Sequence, residues 1–144
     1  LLHDVGKIVL GTYVEVDAEP IFEVAFAGSK TFDEAEQEVL GIDHAEVGAR
    51  LLESWGLPSA MVEAVRFHHR PQALEGDKTL VALVHLADSL VMMSGVALGR
   101  EGLSYRIQED IVEALGVKTK DAEKALALAM IRLQEAIESE GGQG

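Results

Sequence analysis

Apolar positions recur at three- and four-residue spacing along most of the chain, and glycine, proline and capping residues punctuate the stretches that carry them. Leu2, Val5, Ile8 and Val9 share a face, which predicts the end of a helix over residues 1–13, with Gly11 weakening its last turn. Val14 to Pro20 reads as a loop, and Pro20 to Ala27 as a short apolar helix closed by Gly28. Thr31-Phe-Asp-Glu34 is a capping box that opens a helix to about Leu40, where Gly41 stops it. Asp43-His-Ala-Glu46 repeats that logic and starts a helix to Trp55, ended by Gly56. Pro58 suits the first turn of the next helix, which runs to about His69 before Pro71. A polar loop over 72–78 precedes a long apolar helix from Thr79 to about Ala97. Gly99 to Ser104 is a loop, Gln108 to Leu115 a short helix with Gly116 as its C′ residue, and Thr119 caps a last helix to about Ser139. The best strand candidate, Thr12 to Val16, is too weak to compete. The pattern predicts an all-α bundle of about five to seven helices, one domain over 1–140, and a disordered Gly-rich tail over 141–144.

The same periodicity assigns faces. Gly48, Leu51, Leu52 and Trp55 form a stripe that His44 extends by one turn. Met61, Val62 and Val65 lead to His68 and His69, and Trp55 and Met61 are expected in the core. In the long helix Leu80, Val84, Ala87 and Val91 read as the buried face, with Asp88 upon it. A carboxylate on an apolar face is costly to bury without a partner. The last helix repeats Ala122, Leu126, Ala129, Leu133 and Ala136 at heptad-like spacing, a mostly small stripe expected to pack on its own bundle.

Composition narrows the chemistry. The 144 residues include no cysteine, which excludes disulfides and thiolate metal sites. Any metal must therefore be held by nitrogen and oxygen, a set suited to Mn, Fe, Ni, Zn or Mg, and no organic cofactor is called for. The net charge of −13, with Lys and Arg scattered singly, argues against nucleic acid and against an anionic membrane surface. No apolar run is long enough for a membrane span. A cytoplasmic setting is expected.

His3 and Asp4 offer two adjacent ligands, and Lys7 lies one turn away. His44, His68, His69 and Asp88 all fall on helical faces. Each has a commonplace explanation alone: a hydrogen-bonded core histidine, a capping aspartate, a solvated lysine. Together they point to one divalent-metal cluster, His3, Asp4, His44, His68, His69 and Asp88, with Lys7 placed to hold a phosphate oxygen. His85, one turn before Asp88, is read as structural. Arg66 and Arg70 flank the paired histidines and read as a solvated face.

These pieces, His3-Asp4-Val-Gly-Lys7, Gly41-Ile-Asp-His44-Ala-Glu-Val-Gly48, Trp55-Gly-Leu-Pro58, His68-His69-Arg-Pro71 and the helix with Asp88, resemble an HDOD domain over about residues 1–116. HDOD is a regulatory branch of the HD metal-dependent phosphohydrolase superfamily, whose nearest active relatives are the HD-GYP cyclic-dinucleotide phosphodiesterases. The resemblance implies a helical bundle serving bacterial signal transduction, puts the six residues above on metal-ligand positions, and puts Lys7 on a phosphate-contacting one. It also pulls function away from catalysis. Arg70-Pro71-Gln72 stands where the enzymes carry Glu and a Gly-Tyr-Pro loop, and the helix that supplies the superfamily's first histidine ligand is absent from this chain. The expectation is a non-catalytic signalling module that retains a metal cluster and works through other signalling proteins or domains. The rival readings are a metal-dependent phosphodiesterase and a structural lobe whose histidines satisfy one another. Because the chain opens inside an apolar helical pattern, it reads as a fragment. Its Leu1, Leu2, Val5 and Ile8 face is then expected to self-associate into a homo-oligomer, or to lie beneath the last helix.

Overall fold

A computed structural model describes residues 2–13, 17–28, 30–93 and 109–141. Their regular structure is entirely helical: α1 (Val5–Tyr13), α2 (Glu19–Gly28), α3 (Phe32–Leu40), α4 (His44–Ser54), α5 (Ser59–Phe67), a 3₁₀ turn (Pro71–Ala73), α6 (Thr79–Met93), α7 (Glu109–Ala114) and α8 (Thr119–Gly141). No strand occurs among the described residues, so the all-α expectation holds. The predicted loop at 99–104 and the tail beyond Gly141 lie outside them, as do Val14 to Val16 of the weak strand candidate.

Local signals set the ends. Glu34 reaches back to accept the Thr31 N–H at 2.9 Å, one arm of the capping box that starts α3. Gly41 ends α3 with φ +73°, a left-handed conformation that a side chain would disfavour. Asp43 caps α4, its Oδ1 accepting the Glu46 N–H at 2.8 Å.

Helix α1 lies against α4 at unusually short range. A Cβ added to Gly6 would sit 1.8 Å from the His44 carbonyl oxygen. One added to Gly48 would meet Val65 Cγ1 at 3.0 Å and the Gly6 nitrogen at 3.2 Å. Two glycines thus let the backbones touch, which sets the His3-Asp4 segment beside the start of α4. Ala49, Leu52, Val62 and Val65 form the core beneath this crossing, with Val5 and Leu57 packed on it. A second cluster joins α2 to α3 through Ile21, Ala25 and Ala35. A third, Ala64, Leu74 and Val81, joins α5 to α6.

The structure corrects several expectations. The buried face of α6 is Val81, Ala82, His85, Leu86 and Ser89, whereas Leu80, Ala87 and Val91 are exposed. The helix is apolar nearly all round, so periodicity could not select its inner face. Trp55 is 57% exposed and Met61 40% exposed, so neither is core. Trp55 sits past the last turn of α4, at its C-cap. Helix α5 ends at Phe67, which leaves His68 and His69 on the following turn. The last helix does not lie flat on the bundle, because every described side chain from Ala127 to Ser139 is exposed. Val5 packs inward, while Leu2 and Ile8 remain exposed.

Candidate metal centre

Asp4 lies just before α1, His44 opens α4, His68 and His69 follow α5, and Asp88 projects from α6. Asp4, His44, His68 and His69 each offer a donor atom within 4.8 Å of the others, and so do His3, His68 and Asp88. His68 belongs to both groups. The Asp4 carboxylate spans the space between them. Its Oδ1 lies 3.3 Å from His44 Nε2 and 3.7 Å from His68 Nε2. Its Oδ2 lies 3.6 Å from His3 Nε2 and 3.0 Å from the Lys7 ammonium. His3 Nε2 is 3.4 Å from Asp88 Oδ1, and His44 Nε2 is 2.9 Å from His69 Nε2.

Hydrogen bonds on the far side of the rings fix which nitrogens face inward. His68 Nδ1 donates to the Val65 carbonyl at 2.7 Å, which turns Nε2 toward Asp4. His44 Nδ1 is 2.5 Å from Glu36 Oε2, the carboxylate–histidine arrangement that orients metal-ligating rings. Glu36 also accepts the His44 backbone N–H at 2.8 Å.

Three buried donor atoms, His3 Nε2, Asp4 Oδ1 and His68 Nε2, have no hydrogen-bond partner. Buried polar atoms are ordinarily satisfied. A cation among them would give all three a partner. The spacings agree: two donors bound to one ion at ~2.0–2.2 Å with a ~90° angle between them lie ~3 Å apart. The imidazole and carboxylate donors present therefore fit a divalent ion.

Electrostatics point the same way. Burial opposes charge on Asp4, but the His44 and His68 rings and the Lys7 ammonium outweigh it and hold the carboxyl far below its usual range. Burial likewise works against the charge on Asp88, and His3 overrides it, so this carboxyl too is held low. Burial, with His68, His44 and Lys7 nearby, keeps His69 well below its ordinary value and hence neutral. His44 is buried, yet Asp4 and Glu36 raise it to about 9. Without a cation this ring keeps a proton at the position where an ion would take the lone pair.

Residues 1–71 match the HDOD domain family. The chain carries an HDOD domain. HDOD is a branch of the HD superfamily. An uncharacterized protein of Treponema pallidum (strain Nichols) is 28% identical over 92 residues, which span 63% of this chain and 18% of that relative. The match thus covers less than a fifth of the relative's length. No solved structure matches. The HDOD match includes His3, Asp4, Lys7, His44, His68 and His69 and stops before Asp88, which the fold carries to the same cluster.

Three residues of the HDOD site were missed or left aside by sequence reasoning. Glu36 is 2% exposed and holds His44; an acid one turn from Phe32 on the face of Ala35 was a signal of the same kind as Asp88. Asp43 is fully buried and accepts from Arg70 at 2.6 Å while capping α4. His85 is fully buried, and its Nδ1 donates to the His68 carbonyl at 2.7 Å, a strut beneath the paired histidines. The structural reading of His85 agrees with this geometry. Arg66 is held by Glu46 at 2.8 Å and Glu53 at 3.0 Å, and Arg70 by Asp43, so the two arginines brace the helix ends instead of forming a free solvated face. No described helix is long and apolar enough to cross a membrane.

Proposed function

We propose that this HDOD domain is a regulatory module of a signalling protein that holds a divalent ion through His3, Asp4, His44, His68, His69 and Asp88 without hydrolysing a phosphoester. The three orphaned buried donors carry the metal half of this reading. HDOD membership supports the regulatory half. When bound, the ion would supply Lewis-acid polarisation to an anionic ligand. The chain's own residues do the rest. Glu36 and the Val65 carbonyl orient two rings, Asp4 links the two donor groups, and Lys7 neutralises its outer oxygen. The segment after the histidines supports the lack of turnover. Arg70 is tied to Asp43 and Pro71 is buried, so this stretch braces α4 instead of closing over a substrate. Such a module acts through contacts with other signalling proteins or domains in the cytoplasm.

The position of Lys7 favours a second reading, a metal-dependent phosphodiesterase. Its ammonium sits at the edge of the cluster, where a phosphate oxygen would add to Asp4 as a partner. Incubation of the chain with cyclic dinucleotides and Mn or Fe decides between them. The regulatory reading expects no metal-dependent turnover above a blank. Turnover abolished by Asp4→Ala establishes the enzyme.

A further inference from the structure

Two rings of the donor cluster meet where two separate segments of the chain are tied together. His44 and His69 face each other, Nε2 to Nε2 at 2.9 Å. One residue along from each, the Arg70 guanidinium donates to Asp43 Oδ2 at 2.6 Å. The ring contact and the ion pair are thus neighbouring rungs between the same two stretches, 43–44 and 69–70. Asp43 is fully buried, and its Oδ1 accepts the Glu46 N–H at 2.8 Å. Its carboxylate is therefore fixed to the first turn of α4 and gives Arg70 a firm anchor. A charge-assisted bond of this kind is short and directional.

The position of His69 makes that anchor matter. Helix α5 ends at Phe67, so His69 lies on a turn outside the regular helix. The Arg70 N–H closes the turn on the Phe67 carbonyl at 2.9 Å, and buried Pro71 follows. Glu36 orients His44, and the Val65 carbonyl orients His68. The Arg70 side chain joins the His69 turn directly to the start of α4. A second arginine also braces α5 to α4: Arg66 donates to Glu46 at 2.8 Å and to Glu53 at 3.0 Å. Neither Arg66 nor its two partners adjoins a candidate ligand in sequence. If both arginines served stability alone, losing the doubly bonded Arg66 would do at least as much harm to the site as losing Arg70.

We propose that Arg70 is a positioning residue for the metal centre, its bond to Asp43 setting His69 against His44 at the spacing that one ion needs. The proposal rests on the metal reading above and names a bond outside the donor set that shapes it. Manganese affinity by calorimetry, with nitrogen-edited spectra of the histidine rings in metal-free samples, tests it on the untagged chain. Groups that orient a ligand are worth roughly 10–100-fold in metal affinity, so Arg70→Met should weaken manganese binding by about tenfold or more. It should also move the His44 and His69 ring resonances. Arg70→Lys should recover part of the affinity, because an ammonium still reaches Asp43 as a point charge. Arg66→Met should lower stability in urea and leave manganese affinity and both rings unchanged. Asp43→Asn keeps an acceptor for the Glu46 N–H but turns an amide N–H2 toward Arg70. It should match Arg70→Met in affinity, and the double variant should lose no more than either alone. Unchanged manganese affinity in Arg70→Met, effects equalled by Arg66→Met, or additive losses in the double variant would overturn the proposal. An unmodified chain that takes up no manganese overturns the metal reading instead, and the ring resonances of the metal-free variants then decide the role of Arg70.

Discussion

Replacing Gly6 by alanine tests the contact that builds the site. The added methyl carbon would lie 1.8 Å from the His44 carbonyl oxygen and 2.9 Å from the Gly48 nitrogen. Carbon and oxygen do not approach closer than ~3.2 Å without strain, so α1 and α4 must part by about 1.4 Å. The obstructing atoms are backbone, so no rotamer change relieves them. Overpacking of this kind costs about 1–3 kcal/mol, and alanine's better helix propensity returns at most ~1 kcal/mol. A net loss of about 2 kcal/mol is expected. The site suffers more than the fold. Asp4 Oδ1 and His44 Nε2 are 3.3 Å apart, and a shift of more than 1 Å between their helices exceeds the ~0.2 Å tolerance of metal–ligand distances. Two other glycines calibrate the result. Gly11→Ala meets nothing within 4 Å in the same helix and should stabilise by ~0.5–1 kcal/mol. Gly48→Ala meets the Val65 and Val5 side chains at 3.0 Å and 3.2 Å, which can yield slightly, and should fall between the two. Urea denaturation at constant m gives the order, and metal content on the same samples gives the second readout. A Gly6→Ala chain as stable as Gly11→Ala, with undiminished metal, would refute the close crossing of α1 and α4.

The site yields three further expected outcomes. His44 is raised from 6.5 to about 9, so in metal-free protein its stabilising contribution is complete below pH 6.5 and fades as pH rises toward 9. Thermal melts should show that loss, on the order of 3 kcal/mol, and Glu36→Gln should reduce it. Saturating a metal-free sample to about 100 times its dissociation constant should add ~2.7 kcal/mol, or roughly 10 °C in melting temperature, an increment that Asp4→Ala abolishes. Asp43→Ala removes both the α4 cap and the partner of Arg70, and should cost about 2 kcal/mol or more in urea denaturation even without metal.

Helix ends were legible because they depend on local chemistry: Thr31 with Glu34, Asp43 with Glu46, and Gly41 all act within a turn of themselves. The six candidate ligands were legible through the spaced motifs that resemble an HDOD domain and through the oddity of an acid on an apolar face. Their convergence was expected from the sequence, but the contact that brings it about was not legible, because Gly6 and Gly48 fit against each other across 42 positions of sequence. Nor was the inner face of α6, where apolar residues on all sides erase the periodic signal. His85, not Leu80 or Val91, occupies that interior because its ring reaches the His68 carbonyl, a bond between distant segments. Glu36 escaped notice for a related reason. It looked like one more acid in an acidic helix until His44 was placed against it.

The central claim is that the buried donors hold a divalent ion, and elemental analysis of untagged protein purified without chelator measures this directly. The account predicts at least one Mn, Fe, Ni, Zn or Mg per chain, falling toward zero in Asp4→Ala and His68→Ala chains that keep their helical signal. Metal well below one ion per chain after incubation with each of these ions, or a content unchanged by the two substitutions, would contradict it.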